Sequence, residues 1–443
     1  MRALSLRTLS RGNLAVLLLV FALVGCSSGE PDPSSSPADS TNPLGYVDPI
    51  VVRPAAGSPN VPALTEGLND VGYDLFHYLA TGNGDIVLSP LSIGLAFGML
   101  DLGATGTVAE ALDDLFAYPV DGNDRFSAFN ALEQGVVSEP DPASGDPEDG
   151  YPEAPIVRVG NRLFRDAAFE AYPEYAEGLA RWFGAGVEPL EIAQDPEAAR
   201  LYINDWVDDK TMGLIPDLIP AGAINVDTVM VLVNTLYLKA QWAEQFDEAA
   251  TEDEDFTLLD GTTVTVPLMH TRLDTRAHVG DDFSAVEIPY TYTGDLSMLV
   301  ILPDEGKYAD VESGLGTEFV DSVDSLLDAT PVDLALPRFE SASEVNLRQA
   351  FEDGLGVTGL FYVPELLGIG EGIVVTDAVH SAKIVVDEEG TEAAAATAIM
   401  VGKGAPNMDE LVGIRVDRPF LYVIRDGSTG AVLFVGRVLD PSA

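Results

Sequence analysis

The sequence predicts an α+β fold with largely antiparallel sheets. Segments whose apolar residues recur at helical spacing come first along the 443 residues, and strand-like runs follow without regular alternation between the two. Hydrophobic residues make up 47% of the chain, which is enough for a large core despite a formal charge of −49. We therefore expect a folded body with an acidic surface.

Six helices are expected early in this body. The first spans 65–79, where apolar residues such as Leu68, Val71 and Leu75 share one face. The second begins at Ser89-Pro90, since serine favours the N-cap and proline the first helical position. The other four are predicted over 108–116, 124–134, 173–182 and 196–208.

Strands are expected mainly after residue 228. Short apolar runs rich in Val, Ile, Leu, Phe and Tyr indicate them. They are predicted over 229–238, 284–289, 296–302, 332–337, 373–386, 421–425 and 432–438.

The charge balance excludes some partners. With 72 acidic against 23 basic residues, nucleic acid and anionic membrane surfaces are poor partners. Only five of the basic residues are lysines. This composition suits an acidic halophilic protein, because molar salt shortens the Debye length to about 3 Å and screens self-repulsion. An acidic secreted protein at ordinary salt is the alternative interpretation.

The N-terminus has the pattern of an exported lipoprotein. Arg2, Arg7 and Arg11 precede a short apolar run over 14–23, and the only cysteine of the chain follows in Leu23-Val24-Gly25-Cys26. This resembles a lipobox, which implies a signal peptide over 1–25 and lipidation of Cys26. The alternative is an ordinary secretory signal with an incidental cysteine. Either way, we expect an extracytoplasmic protein, membrane-anchored through Cys26 or secreted.

Two segments rich in Ser, Pro and acidic residues lie outside the predicted helices and strands. Residues 26–62 lack a periodic apolar pattern and are predicted to be a disordered tether. Residues 138–155 lie between apolar segments and are predicted to form an exposed loop within the folded body.

Motifs of enzymatic chemistry are scarce. The sequence has no G-x-S-x-G elbow, no H-E-x-x-H and no phosphate-binding glycine loop. The four histidines, at 77, 270, 278 and 380, are scattered. We therefore expect no enzyme activity, no metal and no cofactor.

A segment near the C-terminus has an unusual run of small residues. At a period of two, Thr391, Ala393, Ala395 and Thr397 share one face, as a segment needs if it is to enter a packed sheet. Gly390 supplies a pivot without a Cβ restriction. A short helix or an Ala-rich turn is the alternative.

These residues carry a resemblance to a known family. The run from Glu388 to Thr397 resembles the reactive-loop hinge of the serpins. Further serpin-like motifs occur in family order: Ser89-Pro90-Leu91-Ser92-Ile93, Asn161-Arg162-Leu163-Phe164, Ile203-Asn204-Asp205-Trp206-Val207, Val233-Asn234-Thr235-Leu236, Leu336-Pro337-Arg338-Phe339 and Asp417-Arg418-Pro419-Phe420. The resemblance implies one serpin domain over 63–443. It would have three β-sheets, about eight to nine helices and an exposed reactive loop at about 390–411.

The resemblance also implies a function and its residues. Inhibitory serpins are suicide substrates that trap a serine, or sometimes a cysteine, protease as an acyl-enzyme while the cleaved loop inserts into the main sheet; we expect a monomer of this kind. The implied residues form three groups: a hinge of Glu388, Glu389, Gly390, Thr391, Ala393, Ala395 and Thr397; a shutter of Ser89, Ser92, Asn234 and His380; and a breach of Trp242, Arg338 and Glu388. The alternatives are a non-inhibitory serpin acting as a binding or storage module and a hydrolase on this fold.

Three positions are open for the reactive bond. The usual spacing from Gly390 places it between Gly404 and Ala405. A register one residue shorter places it after Lys403, the only basic residue in the loop and a target for trypsin-like proteases. Met400-Val401 is the third possibility.

Overall fold

The computed structural model describes Leu44, Tyr46 and residues 52–138, 154–291, 295–391 and 411–442. All of these lie in one compact unit, Ser40–Ala443. The Cys26 position, residues 392–410 and the interior of the predicted acidic loop lie outside the described residues. The two ends of that acidic loop meet, because Ser138 forms an isolated antiparallel bridge with Val157.

All six predicted helices are present, with ends shifted by a few residues. In the described residues the helices are α1 Val61–Leu79, α2 Pro90–Asp101, α3 Gly106–Phe116, α4 Gly122–Val136, α5 Pro173–Phe183, α6 Pro196–Lys210, α7 Tyr308–Gly314, α8 Thr317–Leu326 and α9 Leu347–Gln349. The N-cap of α2 is Ser89, whose Oγ accepts a hydrogen bond from the Ser92 N–H at 3.2 Å.

The strands form two hydrogen-bonded sheets. They are β1 Ile86–Leu88, β2 Ile156–Asp166, β3 Gly186–Leu190, β4 Met230–Gln241, β5 Glu252–Thr257, β6 Thr263–Val279, β7 Phe283–Pro289, β8 Leu296–Pro303, β9 Asp328–Pro337, β10 Phe339–Asn346, β11 Val379–Val386, β12 Gly390–Thr391, β13 Val412–Arg415, β14 Phe420–Asp426 and β15 Val432–Val438. The predicted strand over 373–386 begins only at Val379.

The first sheet has the order β10-β11-β12-β4-β2-β3. Its neighbours are antiparallel except for β2 and β3. This sheet contains the two-residue strand β12, which belongs to the predicted hinge.

The second sheet has the order β1-β15-β14-β8-β7-β6-β9-β13, with β5 also paired to β6. The 17-residue strand β6 pairs with β9 and β5 along most of its length and with β7 only at its end. β6 therefore belongs to two groups of strands, β1-β15-β14-β8-β7-β6 and β5-β6-β9-β13, and joins them into one hydrogen-bonded sheet. Together with the first sheet, these two groups account for the three sheets expected, and the α+β fold is confirmed.

The core lies between the sheets and around α2. This helix packs against β4 of the first sheet and β15 of the second. Eleven of its twelve residues are buried, so it lacks the polar face of a surface helix. The position matters for the site, because α2 brings Ser89 and Ser92 beneath the first sheet.

Candidate functional site

The hinge begins inside the first sheet. Thr391 of β12 lies opposite Val386 of β11 on one side and Ala240 of β4 on the other, and β12 is antiparallel to both strands. In the described part of the chain, β4 and β11 share no ladder with each other. We call the position between residues 230–240 of β4 and 379–386 of β11 the slot. Within the described residues, β12 enters the slot only at one end.

Gly390 fits this position because it has no side chain. A Cβ at Gly390 would lie 2.0 Å from the Ala240 carbonyl oxygen and 2.8 Å from the Gln241 Cα. Both are backbone atoms of β4 and cannot move aside as a side chain could. Any larger residue would therefore push β12 away from β4.

Thr391 is fixed by a buried aromatic pair. Its side chain is 1% exposed, and its Oγ1 lies 2.5 Å from the hydroxyl oxygen of Tyr290. The Tyr290 ring stacks on Trp242 with centroids 4.5 Å apart and an interplanar angle of 10°. Both rings are fully buried, so Thr391 faces the protein interior. Burial also raises the pKa of the Tyr290 hydroxyl, which stays neutral.

A buried carboxylate closes the same end of the slot. Both side-chain oxygens of Glu388 accept hydrogen bonds from the Arg338 guanidinium at 2.6 Å, and Thr251 donates a further one. The Glu388 side chain is 4% exposed and that of Arg338 43%. Burial alone would raise the pKa of Glu388, but the hydrogen bonds from Arg338 and Thr251 lower it overall. The charged Glu388 side chain therefore links the turn before β12 to Arg338 and Thr251.

The turn from β11 into β12 is built around Asp387. Its Oδ1 accepts hydrogen bonds from the backbone N–H groups of Glu389 and Gly390 at 2.9 and 3.1 Å. Trp242 supports the turn by donating its Nε1–H to the Asp387 carbonyl at 2.9 Å and its backbone N–H to the Glu389 carbonyl at 2.8 Å. The three predicted breach residues, Trp242, Arg338 and Glu388, thus meet around one turn.

The four predicted shutter residues also lie together, under the middle of the slot. Ser92 Oγ donates to Asn234 Oδ1 at 2.5 Å, and the Ser89 backbone N–H donates to His380 Nε2 at 3.1 Å. Burial lowers the pKa of His380 to about 4, so the ring is neutral and Nε2 can accept. His380 belongs to β11 and Asn234 to β4, so the two face each other across the slot.

A small cavity lies at this level of the slot. Its volume is about 50 Å³, and it is lined by Ser92, Asn234 and His380 together with apolar side chains that include Leu232 and Val379. A site with these polar groups and this space could receive a short side chain entering between β4 and β11.

Sequence reasoning missed several residues of the site. Tyr290 and Thr251 are distant in sequence from the hinge, and nothing near them marks their contacts with Thr391 and Glu388. Asn161 lies in a serpin-like motif, but the motif did not predict a contact for its side chain. In the structure its Oδ1 accepts a hydrogen bond from Asn234 Nδ2 at 2.6 Å.

The remaining predicted residues lie outside the described part of the chain: Cys26, Ala393, Ala395, Thr397, Met400, Lys403, Gly404 and Ala405. Among the described residues, no helix is both long and apolar enough to span a bilayer. The same residues contain no group of three or more His, Cys, Asp or Glu side chains placed to hold a metal ion.

Comparison with known proteins places this site in a family context. Residues 66–441 match the family model described as "Serpin (serine protease inhibitor)". The chain is 32% identical over 439 residues to an uncharacterized serpin-like protein of Thermococcus kodakarensis, covering 97% of this chain and 98% of the relative. It is 31% identical to antithrombin-III of Mus musculus, with 88% of this chain and 84% of the relative covered.

Solved structures agree in fold. Native protease nexin-1 with heparin matches with a TM-score of 0.72 at 27% identity, covering 86% of this chain and all of that one. A thyroxine-binding globulin complex with thyroxine matches with the same TM-score at 24% identity and the same coverage.

Proposed function

The chain belongs to the serpin family, and from this premise we propose that it is an irreversible inhibitor of a serine or cysteine protease. In this proposal the protease cleaves the reactive loop and forms an acyl-enzyme. The loop then extends β12 along the slot and carries the attached protease away before deacylation. Relatives such as antithrombin-III and human neuroserpin lie in the same family.

One observation carries the proposal: β12 already occupies one end of the slot. Gly390 and Thr391 pair with β4 and β11 in the register that a longer inserted strand would continue. Starting from this nucleus, insertion needs no new turn. Each further residue adds backbone hydrogen bonds on both sides, which drives the strand forward.

The register supports the pattern of small residues. Because side chains alternate between the faces of a strand, Ala393, Ala395 and Thr397 would follow Thr391 onto the buried face. Counted from Thr391, position 397 falls opposite both Asn234 of β4 and His380 of β11. A threonine there would place a hydroxyl group beside the polar groups that line the small cavity.

The test is incubation of the mature protein with a panel of serine and cysteine proteases, in dilute buffer and in molar salt. We expect a complex that survives denaturing electrophoresis, a released C-terminal peptide whose mass identifies the reactive bond, and a rise in thermal stability after cleavage. Clean cleavage with neither complex nor stabilisation would overturn the inhibitor proposal and favour a binding or storage module.

We further propose that the protein is exported and anchored through lipidated Cys26, and that it functions as a monomer. Cys26→Ala should then leave the precursor unprocessed or shift the protein into the soluble fraction, while the serpin domain folds normally. A mature wild-type mass without acyl groups would contradict the anchor.

A further inference from the structure

An arginine that precedes the first helix sits in a built socket on the helical layer. Arg53 donates from Nε to Asn130 Oδ1 at 3.0 Å, from Nη1 to Glu133 Oε1 at 2.7 Å and from Nη2 to the Trp182 carbonyl at 2.8 Å. Trp182 is in the last turn of α5, so its carbonyl is one that the helix cannot satisfy itself. The Arg53 guanidinium therefore joins α4 to the end of α5.

The neighbouring residues complete the socket. The Pro54 carbonyl accepts hydrogen bonds from Asn130 Nδ2 and Gln134 Nε2 at 3.2 and 3.0 Å. Gly184, which ends α5 with a φ of +59°, leaves room for the guanidinium, since a Cβ there would lie 3.1 Å from Arg53 Nη1. Val52, one residue before Arg53, is 91% exposed. The residue next to the socket is thus exposed to solvent.

The socket is the outer end of a polar relay that leads to the slot. Glu133, with a side chain only 5% exposed, accepts from Arg53 on one oxygen and from Asn161 Nδ2 on the other, the latter at 3.1 Å. Asn161 in turn accepts from Asn234, and Asn234 accepts from Ser92. The relay therefore crosses α4, β2, β4 and α2.

The direction of each hydrogen bond depends on the one before it. An ionised Glu133 can only accept, so the amide nitrogen of Asn161 must face it and the oxygen of Asn161 faces Asn234. The Phe183 carbonyl, 2.9 Å from the same nitrogen, supports this orientation. Burial raises the pKa of Glu133 to about 7, opposed by Arg53. Without Arg53 the pKa of Glu133 would rise further, and a protonated Glu133 could donate a hydrogen bond, so the direction of the relay would no longer be fixed.

We propose that the segment Arg53-Pro54 is an intramolecular ligand whose docking in the socket holds the first sheet closed at the shutter residues. Undocking would remove the charged group that fixes the relay and would loosen β2 and β4 around the slot. Arg53 and Pro54 lie within residues 26–62, predicted to be a tether, and both make hydrogen bonds with side chains of α4. The effect of docking on inhibition rests on the proposed function; its effect on the sheet does not.

The experiment is hydrogen exchange, followed by mass spectrometry of the full-length mature protein, for wild type and Arg53→Ala. Amides of β2 and β4 should exchange about tenfold faster in the variant, the scale expected for losing hydrogen bonds to a charged group. Amides of β15, in the other sheet, serve as the internal reference. Unchanged exchange in β2 and β4 would overturn the proposal.

Arg125→Ala is the matched control. Arg125 lies on the same helix α4 and pairs with Asp101, Asp113 and Asp121, and among the described residues none of these partners belongs to the relay. In Arg125→Ala, the amides of β2 and β4 should not exchange faster relative to those of β15. Equal acceleration of exchange in β2 and β4 by both variants would show a general loss of stability and refute the relay. If Arg53→Ala does not fold, Arg53→Lys keeps the charge near Glu133 but loses the guanidinium hydrogen bonds to Asn130 and Trp182, and should accelerate exchange in β2 and β4 by about threefold.

These results separate the two proposals. A wild-type protein that traps no protease would overturn the inhibitor proposal, whereas the exchange difference between wild type and Arg53→Ala would still decide the socket. If the inhibitor proposal holds, Arg53→Ala should also change the ratio of trapped to released protease.

Discussion

Thr391→Arg is the sharpest test of loop insertion. In the native protein the Thr391 side chain faces the stacked rings of Tyr290 and Trp242, both fully buried. An arginine at this position would bury a charge with no carboxylate beside it, at an effective cost of about 5 kcal/mol. Its extra volume would add strain in a close-packed interior.

The native state can escape this cost by releasing β12. Release sacrifices the Thr391–Tyr290 hydrogen bond and the pairing of β12 with both β4 and β11, together about 4 kcal/mol. Since this is less than the cost of burying the arginine, we expect a folded variant whose hinge lies outside the sheet. Insertion after cleavage would then face the full penalty of about 5 kcal/mol, which would slow trapping relative to release of the protease by about 5,000-fold.

The assay compares Thr391→Arg with Thr391→Val, which keeps the shape and removes only the hydroxyl. Both should be cleaved at the wild-type initial rate. Thr391→Val should still form the denaturant-resistant complex, whereas Thr391→Arg should release active protease and gain no thermal stability on cleavage. A complex formed by Thr391→Arg at the wild-type stoichiometry would refute the insertion argument.

Four further predictions concern the ion pair between Arg338 and Glu388, the shutter, the reactive bond and the effect of salt. Arg338→Met should cost about 1 to 2 kcal/mol in unfolding experiments at pH 7, a value reduced by the exposure of Arg338. Because the pKa of Glu388 is lowered in the folded state, this difference should shrink below about pH 4. His380, with its folded pKa lowered to about 4, should make the protein lose stability as pH falls from about 6.5 to that value, and His380→Gln should remove this component of the pH dependence. Lys403→Ala should abolish cleavage by trypsin-like proteases if Lys403 precedes the reactive bond; retained cleavage at the same bond would exclude it. The thermal midpoint should rise from dilute buffer to about 1 M salt, and a flat midpoint would contradict the halophilic interpretation.

The helices and the C-terminal strands were predictable because each keeps one simple pattern. Residues 432–438 are buried throughout in β15 and are apolar apart from Gly436 and Arg437, and α1 keeps an apolar stripe of constant spacing. β6 was missed because it serves two parts of a sheet in succession, so polar and apolar residues do not alternate regularly along it. Within residues 373–378 only Val375 pairs, in an isolated bridge with Phe361, and Ile373 is buried outside any strand, so the apolar side chains there do not mark a strand.

The site was predictable only where a motif is contiguous. Residues 388–391 form a recognisable run, and the structure places them in a single turn and strand. Tyr290 lies 101 positions from Thr391 and Arg53 lies 80 positions from Glu133, so only the fold brings these partners together. Asn161 was recognisable only as part of a serpin-like motif, which does not indicate that its side chain lies between Glu133 and Asn234.

The length of β4 measures how far an inserted loop can travel. Thr391 lies opposite Ala240, and each further loop residue would lie opposite the preceding residue of this 12-residue strand. Val401 would then reach Met230, where β4 begins. A protease joined to Met400 would still be level with the strand, and its bulk would meet the edge of the sheet before insertion was complete. A protease joined to Lys403 or Gly404 would lie beyond the last pair, Val401 and Met230, and would be connected to it by a short extended segment of the loop. If the loop inserts as proposed, the length of β4 would therefore favour cleavage after Lys403 or Gly404 over cleavage after Met400.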